Sequence, residues 1–222
     1  MEERLPFASG AARLWLLYAL PMTGEERRIQ VAGAAKSVAL ALPPQREGTV
    51  DVLHLKAPDD SLLEAGDCDA VLVPGTLFQG SAKSAEALLQ SAFLALAPGG
   101  VLVGHCENLL SVHQLRAALR RPKDAVHWAN WRAAGSANLL RKTLTRLGYV
   151  DAEAFYVEPQ IMSPMALIPA DPHASQSHFV RTVWRNRSLY GQLGFALRLT
   201  LAHAHLGGSL QPHLFFWARK PC

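Results

Sequence analysis

Apolar and polar positions alternate along the chain in blocks that predict short strands and amphipathic helices in turn. Residues 11–20 predict a short helix stopped by Pro21, followed by a polar turn over 23–28. RIQVA (28–32) predicts a strand, Ala34 to Leu42 a helix closed by Pro43 and Pro44, and TVDVLHL (49–55) another strand. DAVLV (69–73) is nearly all apolar, as suits a strand buried on both faces of a parallel sheet. Ser84 to Leu96 carries Leu88, Leu89, Ala92, Phe93 and Leu96 at helical spacing, and Pro98, Gly99 and Gly100 turn the chain into the strand VLVG (101–104). That strand, helix, strand unit is a right-handed crossover of the kind that builds doubly wound sheets. Ser136 caps a helix whose buried side holds Leu139, Leu140, Leu144 and Leu147, with Gly148 as its left-handed stop. Tyr149 to Val157 is then a strand. A Pro-rich loop follows, with Pro159, Pro164, Pro169 and Pro172, and then a helix over about 176–206 that Gly191 and Gly194 interrupt. HLFFWAR (213–219) closes the pattern as an apolar strand.

Composition narrows the class. A chain of 222 residues that is 50% hydrophobic and 18% charged can bury one substantial core, so a single domain is expected over 1–222. Within it, 1–27 forms an N-terminal helical segment and 160–211 an insertion between the last two strands. Cys68, Cys106 and Cys222 form no CxxC and no cysteine–histidine cluster, which argues against a disulfide framework or a structural zinc and for a reducing, cytoplasmic setting. The start, MEERLPFASG, is acidic, and the apolar stretch 14–22 is too short to cross a bilayer, so no targeting segment is expected. The net charge is +4 and the sequence pI about 9.1. Arginines gather at Arg116, Arg120 and Arg121 and again at Arg181, Arg185, Arg187 and Arg198; such clusters can attract phosphates or acidic partners, against the plainer and favoured reading of solvated helix faces. No motif for nucleic-acid binding accompanies them, and no nucleic-acid partner is expected.

Three pieces occur in a fixed order: DAVLVPGTL (69–77), LLQSAFLALAPGGVLVGH (88–105) and LLRKTLTRLGYVDAEAFYVEP (139–159), with HLFFWARK after them. Together they resemble class I S-adenosylmethionine-dependent methyltransferases. In that family an aspartate opens the fourth strand, a helix runs through Pro-Gly-Gly into the fifth, and a helix ending in Gly plus an aromatic enters the sixth. The resemblance implies an α/β fold with a doubly wound, mostly parallel Rossmann-like sheet. Its antiparallel last strand, HLFFWAR, lies between the fifth and sixth and follows a helical insertion. It also implies S-adenosylmethionine as cofactor.

The first half departs from the family pattern. There the first strand ends in an acidic residue followed by a G-x-G-x-G loop that brings backbone close to the cofactor. RIQVAGAAKS has Val31 at the acidic position, keeps Gly33, and places Ala35 and Ser37 where the next glycines belong. Ala32, Gly33, Ala34 and Ala35 are the implied cofactor loop. About 36 residues separate Gly33 from Asp69 (69 − 33), too few for two further strands and a helix. If TVDVLHL is the second strand, His54 or Lys56 stands where an acidic side chain would meet the ribose. If it is the third, Asp59 or Asp60 meets the adenine amino group and the second strand is missing.

Ligands of open α/β sheets lie beyond the carboxyl ends of the strands. That places Pro74, Gly75 and Thr76 after the fourth strand, where Pro74 and Gly75 contact the cofactor, and His105, Cys106, Glu107 and Asn108 after the fifth. His105 is the candidate base for the acceptor's proton and Glu107 its orienter, against the plainer reading of a histidine satisfied by backbone at a strand end. Cys106 reads as a small buried hydrophobe. His127, Trp128 and Trp131 fall where the family places substrate lids and are candidate acceptor-binding residues; two tryptophans three apart also suit one face of a core-packed helix. His203 and His205 diverge on a helix, and no metal site is expected. Two functions stay open: a methyltransferase of a small-molecule, peptide or glycan acceptor, and a catalytically silent relative that serves as a binding or assembly partner. The arginine-bearing stretch 184–206 suits packing on the sheet or against a second subunit in a homodimer better than contact with a membrane surface.

Overall fold

The computed structural model describes residues 28–31, 53–54, 68–75, 82–109, 135–160, 163–171 and 211–222, together with Pro21, Ser111 and Ser177. The helices expected over 11–20 and 34–42 lie outside them, as does that over 176–206 apart from Ser177, which is helical.

The described strands are β1 (Ile29–Val31), β2 (Leu53–His54), β3 (Cys68–Pro74), β4 (Leu96–Glu107), β5 (Val150–Gln160), β6 (Ser163–Pro169) and β7 (His213–Arg219); the helices are α1 (Ala82–Ala95) and α2 (Ala137–Arg146). They form one sheet in the order β2-β1-β3-β4-β7-β5-β6. The pairs β1·β2, β1·β3 and β3·β4 are parallel, whereas β7 runs antiparallel to both β4 and β5. Strands β1 to β5 therefore share one direction, and β6 and β7 oppose it. DAVLV and VLVG are adjacent central strands, and HLFFWAR lies antiparallel beside the latter, as the sequence leads one to expect.

The faces of this sheet follow from the two-residue period of strands. Val71, Val73, Leu102, Cys106, Leu214, Phe216 and Ala218 point to the side covered by α1 and α2, where they meet Leu89, Ala92, Leu140 and Leu144. Ile29, Ala70, Leu72, Val101, Val103 and Phe215 point to the other. Both faces are buried, which is why these strands read as continuous apolar runs rather than as alternating ones. At Gly104 the Phe216 ring occupies the space a Cβ would need, with Cζ 2.5 Å from its ideal position.

The helix ends match their local signals. Ser136 accepts the Leu139 N–H at 3.3 Å, and Gly148 holds φ +96 after the C-cap. The buried residues of α2 are Ala137, Leu140, Thr143 and Leu144, so the apolar stripe sits slightly to one side of that expected from Leu139 and Leu147. Tyr149, next after Gly148, donates its hydroxyl to the Leu89 carbonyl at 2.8 Å and meets the Phe93 ring edge-on at 5.0 Å, locking α1 to the start of β5.

Two expectations are corrected. Pro98, Gly99 and Gly100 lie inside β4 as a bulge: the register passes from Cys68↔Leu96 to Ala70↔Val101, two steps on β3 against five on β4. Lys220 holds this bulge from outside, its N–H on the Gly100 carbonyl and its Nζ on that of Leu96 at 2.6 Å. The segment after β5 begins with strand β6 rather than with loop. Its prolines Pro164 and Pro169 are tolerated because β6 is at the sheet edge, where one side of the ladder needs no N–H.

Candidate functional site

In an open sheet the chain's progress from strand to strand reverses direction at one point, and a crevice opens there beyond the carboxyl ends. Here β1 leads to β2 on one side, and β2 then leads back past β1 to β3 on the other, so the reversal lies between β1 and β3. The backbone positions flanking it are Val31 and the Pro74–Gly75 end of β3.

Gly75 has φ +64, a conformation that disfavours any side chain, and donates its N–H to the His105 carbonyl at 2.9 Å. A Cβ at Gly75 would lie 3.2 Å from His105 Nε2. The end of β3 is thus pressed against the imidazole at the end of β4, which brings Pro74 and Gly75 together with His105. His105 is part-buried. Burial, and secondarily the charge of nearby His213, lower its pKa from the ordinary 6.5 to about 4, so it is neutral at neutral pH.

Strand alternation puts Glu107 on the same face as His105, and Cys106 on the opposite one. Cys106 is 1% exposed among α-side core residues, and burial, then the Glu107 charge, push its thiol pKa far up. This suits the hydrophobe role expected of it.

Beyond β4, Asn108 is buried and ties two distant segments together. Its side-chain amide donates to the Gln211 carbonyl at 2.8 Å, its backbone N–H to the Pro212 carbonyl at 2.8 Å, and its own carbonyl accepts from Ser111. These bonds fix the start of β7 against the end of β4, where His213 stands directly across from Glu107. His213 is the residue that sequence reasoning passed over. Its signal was a lone imidazole opening the otherwise apolar strand HLFFWAR.

Several candidates lie outside the described residues: Ala32, Gly33, Ala34, Ala35, Asp59, Asp60, Thr76, His127, Trp128 and Trp131. Of TVDVLHL, Leu53 and His54 are described. Gln30 and Val31 pair in parallel with Leu53 and His54, and in a sheet of order 3-2-1-4-5 the strand beside the first is the second. Asp69, which opens the family's fourth strand, sits at the amino end of β3 and accepts the Arg28 N–H at 2.9 Å, tying β1 to β3 far from the crevice. Among the described residues no group of three His, Cys, Asp or Glu could hold a metal ion, and no helix is long and apolar enough to cross a membrane.

Neither a protein-family model nor any curated protein sequence matches the chain. Solved structures do. A SAM-dependent methyltransferase of Archaeoglobus fulgidus superposes with a TM-score of 0.54 at 14% identity, over 95% of this chain and 92% of that one. One from Thermotoga maritima gives 0.53 at 12%, covering 95% and 88%. The chain has the class I methyltransferase fold. Phosphoethanolamine N-methyltransferase 2 of Haemonchus contortus, solved with S-adenosyl-L-methionine, gives 0.52 at 13% identity over 95% of this chain and 52% of its own length. In terms of this fold β3, β4, β5 and β7 are the fourth to seventh strands, and β6 is an addition at the outer edge.

Proposed function

We propose that the chain is an S-adenosylmethionine-dependent methyltransferase of a small-molecule, peptide or glycan acceptor, working in the cytoplasm. The observation that carries this is the convergence of Gly75, His105, Glu107 and His213 at the carboxyl ends of β3 and β4 and the amino end of the antiparallel β7, beside the reversal of strand order. This is the edge at which open α/β sheets hold their ligands.

The described residues fit the cofactor in part. Gly75, bare of a Cβ at φ +64, offers backbone for close approach at the end of β3, and Gly33 follows the end of β1 by two residues in the sequence. Val31 offers no carboxylate, so backbone groups around Gly33 and Gly75 would carry the binding. When bound, the cofactor supplies an electrophilic methyl group on a sulfonium. The chain's own task is to hold the acceptor in line with that methyl and to take up the acceptor's proton. With a pKa of about 4, His105 is a weak base at pH 7; it contributes as a neutral hydrogen-bonding group that shapes the crevice against Gly75.

Calorimetric titration with S-adenosylmethionine and S-adenosylhomocysteine tests this assignment, followed by mass spectrometry of host extracts supplied with isotopically labelled donor. Saturable binding and a labelled product are the expected results. Val31 at the acidic position favours a second reading, a silent methyltransferase fold acting as a binding or assembly partner; it would give neither binding nor product.

A further inference from the structure

The geometry points to His213, held across the strand pair from Glu107, as the group that takes the acceptor's proton during methyl transfer. This rests on the methyltransferase assignment and extends it to a residue outside the usual strand-end positions of the fourth and fifth strands. Glu107 and His213 are direct partners in the β4·β7 register, so their side chains leave the same face at neighbouring positions, where cross-strand Cβ atoms are about 5 Å apart. Two Asn108 hydrogen bonds, to the carbonyls of Gln211 and Pro212, hold that register at the point where β7 begins. Both side chains are part-buried, keeping some solvent contact yet shielded enough for a carboxylate to act on an imidazole.

Among the described residues, the groups facing His213 are few. On β4 they are Glu107 and, two residues earlier on the same face, His105; on β5 the register partner is Val157, which carries no charge. A carboxylate at such a distance favours the imidazolium, whereas two neighbouring imidazoles disfavour double protonation. His105 is neutral above a pH of about 4, and His213 is the imidazole directly across the register from Glu107. In the transfer step, the acceptor's lone pair forms a bond to the methyl carbon and the sulfur–methyl bond breaks. Its electron pair stays on sulfur, turning the sulfonium into a thioether. The acceptor's proton passes to the imidazole nitrogen of His213, and Glu107 offsets the new positive charge before release to solvent.

The test combines histidine-selective NMR with turnover in the full chain. The imidazole signal that vanishes in His213→Gln should titrate at lower pH in Glu107→Gln than in wild type. Turnover of His213→Gln should drop by roughly a hundredfold or more while S-adenosylhomocysteine affinity changes less than about threefold, and added imidazole should restore part of the rate to His213→Ala. Retained affinity in these variants shows that they fold. Product formation by wild type that persists undiminished in His213→Gln overturns the proposal alone, as does a His213 midpoint indifferent to Glu107→Gln. Absence of cofactor binding and product in wild type overturns the methyltransferase assignment and this proposal with it.

Discussion

Gly104→Ala should destabilise the fold by about 3 kcal/mol, at the upper end of the usual cost of overpacking a core. The added Cβ would lie 2.5 Å from Phe216 Cζ, 2.9 Å from its Cε1 and 2.8 Å from the Val73 carbonyl oxygen. Carbon atoms rest about 3.5–4.0 Å apart, so the ring would have to retreat by roughly 1 Å. Phe216 is fully buried between β4 and the helix layer and has nowhere to go. The Val73 oxygen belongs to the neighbouring strand and moves only with the sheet. For a domain of this size the loss corresponds to a Tm lower by about 6–12 °C. Urea denaturation would read it as a lower midpoint with unchanged slope. Phe216→Leu shortens the ring side chain and should cost about 1–2 kcal/mol by itself. In the double variant the two losses should sum to at least about 1 kcal/mol less than their separate total, because the shorter side chain leaves room for the methyl. Relief stays incomplete, since the Val73 oxygen remains. A Gly104→Ala variant within about 0.5 kcal/mol of wild type, or strict additivity in the double, would refute this account of how the central strands pack.

Gly75→Ala forces a side chain into φ +64 and toward the His105 ring; a loss of about 1–2 kcal/mol in thermal unfolding is expected, together with weaker S-adenosylhomocysteine binding by calorimetry. Burial of neutral His105 makes stability pH-dependent. The unfolded chain takes up a proton below about 6.5 and the folded one only near 4, so stability is full above 6.5 and falls as pH drops toward 4. At about 1.4 kcal/mol per tenfold change in proton affinity this amounts to on the order of 3 kcal/mol. A His105→Gln variant should show a flatter profile of unfolding free energy across that window, and an unchanged slope would count against it. Iodoacetamide should label Cys222 in the native protein within minutes and leave Cys68 and Cys106 unmodified until denaturant is added, as counted by intact-mass spectrometry, because both are buried and the Cys106 thiol is held protonated.

Local physics makes much of this chain legible without its fold. Ser136 and Gly148 bound α2 because a hydroxyl cap and a left-handed stop act within one turn, and DAVLV, VLVG and HLFFWAR announce themselves as strands buried on both faces by unbroken apolar composition. Their identity as adjacent central strands with an antiparallel seventh followed from the resemblance to class I methyltransferases that these pieces carry. Tertiary structure decided what depends on residues far apart in the chain. The partner of TVDVLHL is one such feature, since Leu53 and His54 pair in parallel with β1. The Pro-Gly-Gly bulge within β4 and the edge strand β6 escaped notice because glycine and proline signal a break in regular structure but not whether a partner strand bridges it. The site shows the same division most clearly. His105 and Glu107 were found because they follow a strand end, a one-dimensional fact. The depressed basicity of His105 comes from burial by surrounding residues and from His213, and the apposition of His213 with Glu107 comes from an antiparallel register that closes only when the chain's last strand inserts between β4 and β5. Proton affinity depends on desolvation and on the distance between charges, and neither is defined until the sheet is assembled.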